Sequence, residues 1–336
     1  MPDMPAMPAA NLHTTLLYPS VLVIGGTGFI GSHLVARLVR GGYKVIVPTR
    51  RLASGRHLLV LPGLTLLQAD VHDDAVLLGL VKRADAVINL VGVLHSRPGK
   101  HGSAFGPAFA RAHVDLPRRV VVACAKAGVK RYLHMSALGA AADGPSMYLR
   151  SKAAGEAAAR ADRKLAVTVF QPAVLFGEDD QFLNMFARLQ KFLPVMMLGG
   201  SGAAMQPVYV GDVTLAFERA LADPSTAAMT YELAGPNIYT LGHLVRLAGL
   251  YSGHLRPLIG LPAAPARVMA WLMEFQPGGP LMSRDNLDSL KKPNVAAALP
   301  DARVMPQQTA LEAVAPFYLG GNGRRRGTVT RPTSML

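Results

Sequence analysis

Tyr148 and Lys152 stand four residues apart in the run YLRSK, a spacing that places both on one face of a helix. The pair has a definite chemical use. A phenol with a pKa of ~10 is a poor acid–base group at neutral pH. An ammonium beside it lowers the cost of the phenolate, and the same ammonium can hold a ribose. Tyr148 and Lys152 are therefore the candidate catalytic residues. Such a pair arises often by accident, so its meaning depends on what lies upstream.

Upstream, VLVIGGTGFIG sets Gly25, Gly28 and Gly31 in a G-x-x-G-x-x-G spacing between an apolar strand and a helical pattern. Gly25 permits a tight turn, Gly28 lets backbone approach a pyrophosphate, and Gly31 lets the helix pack on the sheet. The helix N-terminus adds N–H donors and a positive dipole end. A nucleotide site is the reading. An NAD site has an acid about 20 residues further on, bonded to the ribose hydroxyls. Here that place holds Thr49, Arg50 and Arg51, and no acid occurs between Asp3 and Asp70. Two arginines can clamp a 2′-phosphate and stack on adenine. The cofactor predicted is NADP(H), with NAD(H) the lesser alternative. Asp70 and Val71, ending the third strand, would flank the adenine.

The elements that must position these residues read clearly in the first half. SVLVIGG, YKVIVPTR, LTLLQAD, DAVINLVGV, RYLHMSALGA and LAVTVFQPAVLFG are strands. Between them GFIGSHLVARLVRGG, DDAVLLGLVKRA, RAHVDLPRRVVVACAKAG and SMYLRSKAAGEAAARAD are helices, several ended by glycine. The strands are unalternated Val/Ile/Leu runs, as expected when helices cover both faces. This order predicts an α/β fold, a Rossmann-type doubly wound parallel sheet. The second half is less regular: short strands at QPVYVGD and TYELAG, helices at DVTLAFERALAD and TLGHLVRLAGLYSG, the latter capped by Thr240. It suggests a small mixed C-terminal lobe. The division expected is a flexible leader over 1–18, a nucleotide-binding domain over 19–178, a smaller interleaved lobe over 179–319 and a flexible basic tail over 320–336.

Composition narrows the function classes. The 336 residues are 50% hydrophobic and carry a net charge of +14, of which the tail arginines 324, 325, 326 and 331 supply only part. A basic body favours phosphorylated cofactors, an acidic protein surface or anionic lipid. Nucleic acid is not supported, because no basic stripe is interleaved with aromatics. The single Cys124 excludes a disulfide framework and a cysteine-clustered zinc site, and reads as a buried small hydrophobe. The histidines, His95, His101, His243 and His254 among them, show no metal-ligand spacing, so no metal is expected. His95 and Arg97 follow the fourth strand, near where a substrate would sit. Glu178, Asp179 and Asp180 read as a solvated turn or helix start rather than an acid–base pair. The methionine-rich runs PVMMLGG and RVMAWLMEF read as core filling rather than a lipid-facing lid. The charge-free runs contain prolines and many glycines, so no spanning helix is predicted. A cytoplasmic protein is expected, at most peripheral at the inner respiratory membrane.

Taken in order, GxxGxxG, NLVG, Ser136, YxxxK and the turn at Pro172 resemble an extended short-chain dehydrogenase/reductase, the epimerase/dehydratase type, over roughly residues 20–318. Within that superfamily HMSALGA, YLRSKAAGE, FQPAVLFGEDDQFLNMFA, QPVYVGDV and YELAGPNIYTL are similar to the NADPH-binding accessory subunits of respiratory complex I, the NADH:ubiquinone oxidoreductase, and their bacterial relatives. The resemblance implies that Gly25, Thr27, Gly28, Phe29, Ile30 and Gly31 form the phosphate loop. It implies adenine-side contacts from Arg50, Arg51, Asp70 and Val71, and a strand end at Leu90, Val91 and Gly92 lining the cofactor. Ser136, Tyr148, Lys152, Pro172, Ala173 and Val174 would border the nicotinamide end. Two departures matter. Ala137 stands where active reductases carry a Ser or Thr, and His113 where the superfamily often has Asn. Losing that hydroxyl removes one donor to an oxyanion, worth ~3–4 kcal/mol of barrier in comparable sites. The implied function is NADP(H) binding with little turnover, docked on a respiratory complex. The alternative is an active oxidoreductase or epimerase using Tyr148 and Lys152 on a hydrophobic carbonyl.

Overall fold

The computed structural model describes residues 16–100, 102–276 and 281–320. Most of the expected leader and tail, and His101, lie outside the described residues.

Seven parallel strands form the central sheet. The chain enters through β1 (Ser20–Ile24), helix α1 (Phe29–Arg40), β2 (Lys44–Thr49), a 3-10 segment (Leu52–Leu58), β3 (Leu64–Gln68), α2 (Asp74–Val81) and β4 (Ala86–Asn89). It continues through α3 (Pro107–Phe109), a π turn (Ala110–Asp115) and α4 (Leu116–Ala127), then β5 (Arg131–Met135), α5 (Met147–Ala159), β6 (Ala166–Pro172) and the short β7 (Leu175–Phe176). The second half supplies α6 (Leu183–Phe192), β8 (Met196–Gly199), β9 (Ala204–Met205), β10 (Val208–Tyr209), α7 (Val210–Ala222) and β11 (Thr230–Leu233). It ends with β12 (Tyr239–Thr240), α8 (Leu241–Tyr251), β13 (Leu258–Leu261), α9 (Ala263–Met273), α10 (Arg284–Ser289) and α11 (Leu311–Leu319).

The sheet order is β11-β6-β5-β4-β1-β2-β3, with every pairing parallel. The direction of winding reverses between β1 and β4, which opens a crevice at their carboxyl ends, the place where such sheets bind ligands. The unalternated runs behave as their composition requires: Val21, Leu22 and Val23 are all fully buried, their faces shared between two cores. On one face Leu34, Val35 and Leu38 of α1 meet Val213, Ala216 and Phe217 of α7. On the other, Leu77 and Leu80 of α2 meet Leu116 and Val120 of α4. A third core joins α6, α8, α11 and β8. The expected cap at Thr240 is present, and Asp73 supplies a second. Asp73 accepts from the backbone N–H of Ala75 and Val76, and Thr240 from that of His243.

Several expected elements differ in extent. The fourth strand stops at Asn89, because the Asn89 side chain accepts from the N–H of Val91 and turns the chain out of the ladder. QPVYVGD is a strand only at Val208–Tyr209 before helix takes over at Val210. The Glu178–Asp180 turn is not all solvated: Asp180 is buried and accepts from the N–H of Gly177, Leu183 and Asn184 and the Tyr318 hydroxyl. It pins α11 to the start of α6. RVMAWLMEF does not fill a core, since Val268, Trp271, Leu272 and Phe275 are exposed. No described helix is long and apolar enough to cross a membrane.

Candidate functional site

The turn from β1 into α1 is built by its glycines. Gly25 adopts φ +87°, and a Cβ there would press on the backbone of Leu90 and Val91 at 3.2–3.3 Å. At Gly31 a Cβ would lie 2.2 Å from the Gly25 carbonyl oxygen, so no larger residue lets α1 approach the turn. Gly28 differs. A Cβ there would meet only that same oxygen, at 3.4 Å, and would point into open space. Gly28 is also the N-cap of α1 and has no side chain with which to cap it; the first turn carries no acid. The turn therefore offers uncapped N–H groups at a positive helix end, with room in front of them. Thr27 packs toward Gly55 of the 3-10 segment, Ile30 joins the adjoining core, and Phe29 stands edge-on to His33 at 5.5 Å.

Arg50 and Arg51 follow β2 and are exposed. Thr49, buried behind them, fixes the turn: its hydroxyl donates to the Arg51 carbonyl, and Gln68 donates to that of Arg50. Among the described residues neither guanidinium has a protein partner. Asp70 uses one carboxylate oxygen to accept from the N–H of His72, and Val71 packs against the core beside it. The loop edge is cationic, for Arg50, Arg111 and Arg119 all act with burial to hold the His72 pKa below its ordinary value.

Tyr148 and Lys152 lie on α5 as the spacing requires, with the Lys152 Nζ 5.9 Å from the Tyr148 ring centroid. Lys152 is buried and donates to the Met135 carbonyl at 3.4 Å, and burial brings its pKa down to about 8. The Tyr148 pKa is pushed up to about 12 by burial. The expected lowering by the ammonium is absent, because that group sits over the ring and desolvation dominates. Among the described residues nothing hydrogen-bonds the tyrosine hydroxyl. Gly92 comes to the same place: a Cβ there would lie 3.2 Å from Lys152 Nζ. The strand-4 end, the phosphate turn and the Tyr–Lys pair thus converge on one crevice.

His113 ties the crevice together. Its Nε2 accepts from the N–H of Val93 at 3.0 Å, so Nδ1 carries the proton and donates to Ser151, whose hydroxyl donates to the Tyr148 carbonyl. Burial, then the charge of Lys152, holds the His113 pKa down to about 2, so the ring is neutral. It stacks on Phe109 and stands edge-on to Tyr148. The π turn over Ala110–Asp115 is what carries it there.

The Ser136 hydroxyl donates to Glu156, which also accepts from Gln171 at 2.7 Å. That hydroxyl is therefore engaged beneath the crevice. Ala137 follows it and offers no donor in its place. Pro172, Ala173 and Val174 form the opposite wall, fixed by bonds from Leu138 to Pro172, from Ala173 to Leu233 and from Val174 to Asn294. Asp285 was not legible in the sequence. From α10 its carboxylate accepts from the N–H of both Met147 and Tyr148, capping the helix that carries the Tyr–Lys pair. Ser289 adds a bond to Ser146, the N-cap. No local pattern could reveal a cap supplied from 137 residues away. His95 lies partly buried near Asp285 and Glu274. Among the described residues no group of His, Cys, Asp or Glu could hold a metal.

Chemically, the crevice can hold a phosphate-rich nucleotide along the glycine turn and a second anion at the arginines, and can present a phenol at the far end. Comparison with known proteins agrees in kind. The family described as NAD dependent epimerase/dehydratase matches residues 21–234. The mouse protein named NADH dehydrogenase [ubiquinone] 1 alpha subcomplex subunit 9, mitochondrial, is 33% identical over 304 residues, 87% of this chain and 78% of its own length. A ceramide reductase from Caulobacter vibrioides is 28% identical over 259 residues, 75% of this chain and 78% of its own. The solved structure of MoeE5 in complex with UDP-glucose and NAD is similar in fold, with a TM-score of 0.68 at 22% identity over 91% of this chain and 99% of that one.

Proposed function

Because this chain belongs to the NAD dependent epimerase/dehydratase family, we propose that it is an NADP(H)-binding protein, similar in role to the complex I subunit it matches, with little turnover of its own. The observation that carries the cofactor choice is Arg50 and Arg51 at the end of β2, exposed, without partners among the described residues, and with no acid between Asp3 and Asp70. They grip the 2′-phosphate. The N–H groups of Phe29, Ile30 and Gly31 receive the pyrophosphate in the open space in front of Gly28, whose own N–H closes the turn on Gly25, with Thr27 shaping it. Asp70 and Val71 flank the adenine, and Leu90, Val91 and Gly92 line the middle. Lys152 holds the ribose of the nicotinamide; Ser136, Tyr148, Pro172, Ala173 and Val174 border the ring. When bound, the cofactor supplies a hydride at that end. Residues 19–178 do the binding, with β11 and α7 returning from 179–319 to complete the sheet. The lobe faces the partner: a respiratory complex, or another acidic protein surface, with the protein peripheral at the respiratory membrane.

The low-turnover reading rests on Ala137, which leaves an oxyanion one donor short, and on a Ser136 hydroxyl already taken by Glu156. A second reading, an active reductase of a hydrophobic carbonyl, draws support from a Tyr148 hydroxyl with no hydrogen-bond partner among the described residues and from the likeness to a ceramide reductase. One experiment separates them. The natively purified protein is loaded with NADPH and screened against quinone, long-chain keto and sugar-nucleotide carbonyls. No consumption above background is expected. A robust reaction abolished by Tyr148→Phe, with NADPH affinity unchanged, would establish the second reading instead.

A further inference from the structure

The lobe leaves one apolar face uncovered. In the β8–β13 ribbon Met197 stands opposite Ile259, and the two are 57% and 53% exposed. Met196 and Leu198, on the other face of β8, are buried. Gly199 shares the face of Met197, and a Cβ there would fall 2.6 Å from the Ala266 Cβ, so α9 packs on that same face. Within α9 only Ala266 and Ala270, one turn apart, are fully buried. Val268, Trp271 and Leu272 point outward, and Phe275 stands edge-on to Trp271 at 5.3 Å. Large apolar side chains exposed side by side in this way mark an interaction site.

Its charge selects the occupant. Residues 181–211 and 246–273 contain no Asp or Glu, while Arg188, Lys191, Arg246 and Arg267 are exposed there. The nearest carboxylates are neutralised: Asp288 by Arg267 and Lys291, Glu274 by Arg284. A protein partner is recognised with about one hydrogen bond per 100–200 Å², yet the outward side of α9 carries no polar side chain except Arg267. A helix of 11 residues cannot span a bilayer. It can lie in the interface, apolar side down, with tryptophan at headgroup depth and cations at the rim.

We propose that the face formed by β8, β13 and α9 docks on an anionic phospholipid bilayer. The proposal deepens the membrane-peripheral part of the function above and is independent of the cofactor. Trp271 is the only tryptophan in the chain, so its fluorescence reports this face alone. With vesicles of 30% phosphatidylglycerol in phosphatidylcholine, its emission should shift to the blue, iodide quenching should fall, and the protein should co-float. Pure phosphatidylcholine should do none of this, and raised salt should reverse binding. Leu272→Glu and the pair Arg188→Glu/Lys191→Glu, all exposed and outside the crevice, should each weaken vesicle partition at least tenfold while NADPH affinity is kept. An unchanged emission with anionic vesicles would overturn the proposal. So would equal binding to neutral vesicles, or a shift produced by a detergent-solubilised respiratory complex but not by lipid. Failure of NADPH binding alone would count against the cofactor reading and leave this one standing.

Discussion

The crevice above β1 and β4 and the face on β8, β13 and α9 use apolar residues in opposite ways. Around the crevice every strand is buried on both sides, and the atoms left for chemistry are backbone N–H groups, one phenol and a few buried polar side chains. On the lobe the same residue types face outward, and the polar groups are confined to the rim. The contrast separates two tasks. The crevice is preorganised by steric necessity and buried hydrogen bonds, so its substitutions should act on folding and cofactor together or apart according to where each atom points. The lobe face should tolerate substitution without loss of fold.

The sharpest test lies within the glycine turn. Gly31→Ala places a Cβ 2.2 Å from the Gly25 oxygen and 2.6 Å from the Gly26 Cα. Backbone must move, at about 3 kcal/mol or more. Gly28→Val, only three residues away, should keep the fold and lose the thermal stabilisation that NADPH adds, since its side chain occupies the open space. Thermal melts with and without NADPH read both. If Gly28→Val still gains stability on adding the cofactor, the pyrophosphate does not sit there.

The buried histidines give the next effect. His113 and His134 are held neutral by burial, to about 2 and about 3. An unfolded chain binds a proton on each once pH falls below ~6.5, so stability drops as acid is added, approaching ~1.4 kcal/mol per pH unit for each ring. Denaturant unfolding between pH 7 and 5 should show a loss of about 2 kcal/mol for each ring, steepest toward pH 5, and His113→Asn should remove about half of the total. A flat profile would mean these rings are charged or solvated.

A smaller effect is expected where the two regions meet. Asp285→Ala strips the Met147 and Tyr148 N–H groups of their acceptor and should cost about 1–2 kcal/mol. Leu272→Glu, on the open side of α9, should cost less than about 0.5 kcal/mol. Equal losses from both would erase the distinction drawn between crevice and face.

The physics of legibility follows the same division. The placement of Gly25, Gly28, Gly31, Tyr148 and Lys152 on one crevice follows local spacing rules, and the parallel sheet is legible because its strands are uninterrupted apolar runs. Strand ends fall short of their apolar runs, since Asn89 ends β4 through a side-chain bond that periodicity does not encode. Asp180 is the helix start that the acidic letters suggest, bonded to the first N–H groups of α6, but its burial and its bond from Tyr318, 138 residues on, have no local signature. Asp285 and the His113–Ser151 bond are pairings across the fold and have no signature in any window. α9 is the least legible element, because a helix apolar on its exposed side has the same letters as a core helix.

Cofactor choice turns on Arg50 and Arg51, and the most direct measurement is the ratio of NADPH to NADH affinity in the unmodified protein at fixed salt. NADPH should bind at least tenfold more tightly, a difference of about 1.4 kcal/mol. Arg50→Ala/Arg51→Ala should bring the two cofactors to parity by weakening NADPH far more than NADH. Equal affinities in the unmodified protein, or a preference for NADH, would contradict it.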